Sequence, residues 1–136
     1  MKHAFLIMAH GSLPLLRVLL SMLDDERNDI FLHIDRKSNM LDGAEPLALS
    51  KARLFVLEQR VDVRWGNLSQ IKAEYVLFEE ALKHGPYAYY HLLSGQDLPI
   101  KSQDYIHQFF DEHQGKEFVG INHGAEFEWD CRRKID

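Results

Sequence analysis

Six consecutive apolar residues, Ala4-Phe5-Leu6-Ile7-Met8-Ala9, constrain this chain more than any other feature. A strand with one wet face alternates apolar and polar residues. This run does not alternate, so it predicts a strand covered on both faces, as in a parallel sheet layered between helices. Ile30–Ile34, the short Leu54–Leu57 and Ala88–Leu93 read as further strands, with Val61–Arg64 and Phe118–Ile121 as two more. Helical signals fall between them. Ser12 can cap a helix whose first turn tolerates Pro14, and Leu16, Leu19, Leu20 and Leu23 recur at helical spacing. Leu68, Ile71, Tyr75, Phe78 and Leu82 form an apolar stripe that predicts a helix over 69–84, stopped by Gly85-Pro86. Ser102 caps a third helix, with Ile106, Phe109 and Phe110 on its inner face and Gly115 at its end. Strands alternating with helices give an α/β fold with a mainly parallel sheet flanked by helices.

At 136 residues the chain fits a single domain or part of one. Its net charge of −5 argues against a nucleic-acid binder, which would carry a basic stripe. No apolar stretch is long enough to cross a bilayer, so membrane contact would be peripheral. The start "MKHAFLIMAHGS" reads as a first strand rather than a signal peptide. Cys131 is the single cysteine, which excludes a disulfide framework and fits a cytoplasmic location.

The polar residues that interrupt this pattern cluster at one kind of place. His10, Asp35, Trp65-Gly66 and Ser94-Gly95-Gln96-Asp97 all follow the C-terminal ends of predicted strands. In open α/β sheets, ligands bind at that edge. Asp35 could accept hydrogen bonds from a ribose or a base NH, or could be a plain turn aspartate. Trp65 could stack on a planar ring or anchor the following helix. Gln96 and Asp97 could hold sugar hydroxyls, and Asp97 could equally bond the backbone of its own turn. His33 and Asp35 share a strand face and with His10 could form a metal cluster, the basis for a metal-dependent hydrolase as an alternative. Ser94 lacks the Gly-x-Ser-x-Gly setting of a hydrolase nucleophile. Neither a phosphate loop nor a Gly-x-Gly-x-x-Gly fingerprint occurs. Arg132-Arg133-Lys134 is a small basic cluster, either a solvated face or a contact for an anionic or sugar ligand.

Three blocks in order, "HIDRKS" (33–38), "VRWGNLSQIKAEYVLFEEAL" (63–82) and "YYHLLSGQDLPIKS" (89–102), carry a family resemblance, with "IMAHGSLPLLRVLLSML" as a weaker fourth. Together they resemble the core-2/I-branching β-1,6-N-acetylglucosaminyltransferases, a family that includes the peptide O-xylosyltransferases, over most of the chain. The resemblance implies a GT-A-type, Rossmann-like fold and a UDP-sugar donor, most often UDP-GlcNAc. It implies transfer to a glycan hydroxyl with inversion, and no required divalent metal or other cofactor. Matched by position, Ile7, Asp35 and Trp65 are implied nucleotide contacts. Ser94-Gly95-Gln96-Asp97 lies where other GT-A enzymes keep a metal-binding Asp-x-Asp, with one of the two carboxylates present.

The implied single displacement needs a carboxylate base for the acceptor hydroxyl and cationic side chains for the departing diphosphate. In the family these come well after the Ser-Gly-Gln-Asp block. Residues 1–136 therefore read as one donor-binding, N-terminal portion of a longer enzyme, inactive alone. Arg132 or Arg133 would match an acceptor contact. A non-catalytic binding or interaction module is the other reading of so short a chain. An incomplete sheet would also leave apolar surface exposed and favour self-association.

Overall fold

The computed structural model describes residues 1–120 and 124–126. Four strands, β1 (His3–Ala9), β2 (Asn28–Ile34), β3 (Arg53–Val56) and β4 (Tyr89–Ser94), form an all-parallel sheet in the order β3-β2-β1-β4. Three helices accompany them: α1 (Leu13–Leu23), α2 (Ser69–His84) and α3 (Gln103–Glu112). This is the α/β layer that the apolar runs predict. β1 and β2 are buried along almost their whole length, as strands covered on both faces must be.

β1 sits between β2 and β4, with Ile7 opposite both Leu32 and Leu93. The chain leaves β1 through α1 toward β2 and β3, then returns through α2 to the other side of β1. The order thus reverses between β1 and β4, and a crevice at such a reversal is the usual ligand position in an open α/β sheet.

The core has two parts, one on each face of the sheet. Phe5, Ile7, Ile30 and Leu32 pack against Leu16, Leu19, Leu20 and Leu23 of α1. The Ser12 hydroxyl accepts the Leu15 N–H and caps that helix. Ala4, Leu6 and Phe31 pack against Leu77 and Ala81 of α2 on the opposite face. α3 returns to the α1 side, where Tyr89 and Phe110 lie with ring centroids 4.6 Å apart.

Three expectations are corrected here. First, the buried ridge of α2 is Ser69, Ala73, Leu77 and Ala81, while Ile71 and Leu82 face water and Tyr75 is 65% exposed. Small residues at 73 and 81 let the helix approach the sheet closely, so side-chain bulk misreports the inner face. Second, Val61–Arg64 is not a strand. Val61 is held by the side chain of His33 and by the Arg36 N–H rather than by a ladder. Third, Phe118 begins no strand, because its ring packs into the Phe109 and Phe110 cluster instead of following a strand edge. Ile121, Cys131, Arg132 and Arg133 lie outside the described residues.

On α3, His107 is more deeply buried than Ile106, Phe109 or Phe110. Its ring bonds the Asn28 amide oxygen at 2.8 Å and tucks the helix under the start of the sheet.

Candidate functional site

The C-terminal tips of β1, β2 and β4 lie side by side. Asp35, just past β2, donates its N–H to the Ala9 carbonyl at 2.9 Å, and Gly95, just past β4, donates to Met8 at 2.8 Å. These bonds draw His10, Asp35, Ser94, Gly95 and Gln96 to one edge. The loops after β1 and β4 close on each other around Gly11 and Gln96. Gly95 has no room for a side chain, since a Cβ there would stand 2.8 Å from the Ala9 Cβ. Ile7 does not reach this edge with its side chain, which is fully buried against α1. It supports the strand that carries His10.

The turn after β4 is closed by its own aspartate. Asp97 Oδ2 accepts the Ser94 N–H at 2.8 Å, and the Asp97 N–H donates back to the Ser94 carbonyl at 3.0 Å. Ser94 Oγ accepts the Gln96 N–H. The side chains of Gln96 and Asp97 are nonetheless exposed at the tip. Of the two readings of Asp97, the turn-closing one is seen directly, while the residue stays exposed.

Asp35 is 6% exposed and also closes a turn, accepting the Lys37 N–H at 2.9 Å and the Lys37 ammonium at 3.2 Å. Burial alone would raise its pKa. The two Lys37 donors and the Val63 N–H outweigh that and hold the carboxyl below the usual carboxylate range. Lys37 reaches further, to Asp62 Oδ1 at 2.6 Å and to the Val63 carbonyl. Arg60 donates to the carbonyls of Ile34, Asp35 and Ser38. The Val61 N–H donates to His33 Nε2 at 2.9 Å. Burial lowers the His33 pKa, which keeps the ring neutral and that nitrogen able to accept. Residues 60–63 thus form a strap laced across the tip of β2 by side chains.

The strap leads directly into Trp65, which is 90% exposed. It does not anchor α2 against the sheet, and its indole stands free of the core. Gly66 has φ +68, a left-handed conformation that turns the chain from Trp65 into α2 with no Cβ penalty. Asn67 and Ser69 then order the first turn, the Asn67 side chain accepting the Ser69 N–H at 2.9 Å.

A cleft opens at this edge. It measures about 300 Å³ and lies between α2 and the tips of β1 and β4. Met8, Val63, Leu92 and Leu93 supply apolar surface, and His10, Ser94, Gln70 and Glu74 supply polar groups. Gln70 and Glu74 were not among the sequence candidates. Their signal is present in the sequence as an i, i+4 polar pair beginning four residues after Gly66, but only the fold shows which way that helix face points. A larger hollow of about 580 Å³ runs along the outer edge of β3 and one side of α2, and gathers none of the candidate residues.

His10, His33 and Asp35 do not form a metal site. No three His, Cys, Asp or Glu side chains converge on one point among the described residues, and His33 Nε2 is already committed to Val61. No helix among them is long and apolar enough to cross a membrane.

The family model described as core-2/I-branching enzyme matches residues 3–136. None of the curated proteins matches the chain.

Proposed function

The chain belongs to the core-2/I-branching enzymes, a glycosyltransferase family, and on that premise we propose that its strand-tip edge holds the UDP part of a UDP-sugar. The preferred donor is UDP-GlcNAc, and the sugar passes to a glycan hydroxyl with inversion and without a required divalent metal. The observation that carries this reading is the lacing of one strap to one strand tip. Lys37 bonds Asp35, Asp62 and Val63 together, which places the exposed indole of Trp65 two residues beyond the Asp35 carboxylate's own partner. A carboxylate acceptor at a strand tip and an unpacked aromatic plane on the strap fastened to it suit a nucleoside, with its NH and hydroxyl donors and its flat base.

In the displacement, these residues hold and orient the donor. Ser94 to Asp97 sit at the tip of β4, across β1 from Asp35, where the diphosphate and sugar would follow the nucleoside. We assign the acceptor-side base and the cations that stabilise the departing diphosphate to residues other than those described.

The test is titration of UDP and UDP-GlcNAc into the wild-type chain and Asp35→Ala, followed by calorimetry and by Trp65 fluorescence in a Trp129→Phe background. The expected result is millimolar or tighter binding, quenching of Trp65, and at least a tenfold loss in Asp35→Ala, about 1.4 kcal/mol. A folded protein that binds neither ligand at millimolar concentration, or an Asp35→Ala variant that binds as wild type does, refutes the assignment.

A further inference from the structure

We propose that the cleft between α2 and the tips of β1 and β4 is a monosaccharide subsite in which Gln70 and Glu74 read the hydroxyls of the donor's sugar. The proposal rests on the donor-site reading above and extends it to residues outside the family blocks' strand-tip set.

The chemistry of the walls favours a sugar. A pyranose has an apolar C–H face and a rim of hydroxyls. The cleft offers Met8, Leu92 and Leu93 to the first and Gln70, Glu74 and Ser94 to the second. Its volume of about 300 Å³ is at the small end for ligand sites, enough for one ring and too little for a whole nucleotide sugar.

Gln70 and Glu74 are one helical turn apart, so their side chains are neighbours on one face of α2. Neither side chain has a hydrogen-bond partner among the described residues. Glu80 on the same helix, by contrast, is paired with Lys83 and His84. A carboxylate that accepts beside an amide that donates and accepts can engage two adjacent hydroxyls. The same carboxylate disfavours a diphosphate in this cleft, since like charges repel. The occupant is therefore a neutral part of the donor.

Position separates sugar from base. Val63 lines the cleft, and its carbonyl is held by Lys37, which is itself bonded to Asp35. A nucleoside on the Asp35 and Trp65 side leaves this cleft, across Val63 and beside Ser94, to the other end of the same molecule.

The experiment compares UDP with UDP-GlcNAc and UDP-glucose, by calorimetric titration, in wild type, Glu74→Gln and Gln70→Leu. Both side chains lack internal partners, so both variants should fold, which circular dichroism and urea unfolding would verify. We expect UDP affinity to stay within twofold of wild type, and UDP-sugar affinity to fall about tenfold in each variant, erasing the sugar's contribution. An unchanged ratio of UDP-sugar to UDP affinity would overturn the subsite while leaving the nucleotide site standing. An equal loss for UDP and UDP-sugar would overturn it by placing the base in the cleft. Failure of wild type to bind any of the three would overturn the donor-site reading and the subsite with it.

Discussion

Replacing Gly95 by alanine tests the steric closure on which the strand-tip edge depends. The new Cβ would lie 2.8 Å from the Ala9 Cβ and 3.2 Å from its Cα. Carbon atoms prefer about 3.5–4.0 Å, so the groups must separate by about 0.7 Å or more. Ala9 cannot retreat, because it is buried on β1 with its neighbours packed on α1. The turn after β4 must move instead, straining the Gly95 N–H bond to Met8. Overpacking of this kind costs about 1–3 kcal/mol, with part of a hydrogen bond added. We expect a loss of about 2 kcal/mol, read as a fall of about 1 M in the urea midpoint at an m-value near 2 kcal/mol/M. The decisive control is the double variant Gly95→Ala/Ala9→Gly. Removing the Ala9 Cβ relieves the closest contact, so the pair should be more stable than the sum of its single effects by about 1 kcal/mol or more. Additive effects, or a Gly95→Ala variant as stable as wild type, would show that the two loops do not close on each other as described.

Two further outcomes follow from burial. Leu77→Ala, at the centre of the α2 ridge, should cost about 2–5 kcal/mol, whereas Tyr75→Lys should stay within about 0.5 kcal/mol; urea unfolding that reverses this ranking would put the apolar stripe of α2 on the sheet after all. Stability should also fall on mild acidification. His3 and His91 lie 3.0 Å apart through Nδ1 and Nε2, and burial pushes their pKa values from 6.5 to about 3 and about 4. Between those values and 6.5 the unfolded chain binds protons that the folded one does not. Their contribution is therefore complete above about pH 6.5 and declines as pH drops, by up to about 1.4 kcal/mol per pH unit for each histidine. Urea midpoints measured from pH 7.5 to 5 should decline, and His91→Phe should flatten the slope; a midpoint constant over that range contradicts the burial of this pair.

The parts of the fold legible in the sequence were those set by local pattern. A continuous apolar run has few alternatives to a covered strand, and β1 and β2 appear where such runs lie. Ser12 and Ser102 cap the helices they were expected to cap, and α2 spans the expected 69–84. The inner face of α2 was not legible, because periodicity weighs the bulk of Ile71 and Tyr75 above the closeness that Ala73 and Ala81 permit. Nor was the burial of His107. A polar residue inside is explained only by its partner, here Asn28, and that pairing spans 79 positions in the chain.

The same division runs through the site. Strand ends are visible in sequence, so the shared edge of His10, Asp35 and Ser94–Gly95 was foreseeable. Gln70 and Glu74 enter it from a helix whose orientation depends on the strap, and the strap depends on His33, Lys37 and Arg60 reaching across the tip of β2. Local pattern does not show these reaches, since no local rule pairs His33 with Val61.

The way the strap is fastened also limits what Asp35 can do for a ligand. A carboxylate offers about four acceptor positions on its two oxygens. In this structure the Lys37 N–H and the Lys37 ammonium occupy two of them, and the nearby Val63 N–H adds to the preference for the charged carboxylate. On the donor reading, Asp35 therefore accepts at most two hydrogen bonds from the nucleoside unless Lys37 lets go. Lys37 has Asp62 and the Val63 carbonyl to hold it in place when it does. A ligand that needs more than two positions on Asp35 would thus shift Lys37 without releasing the strap.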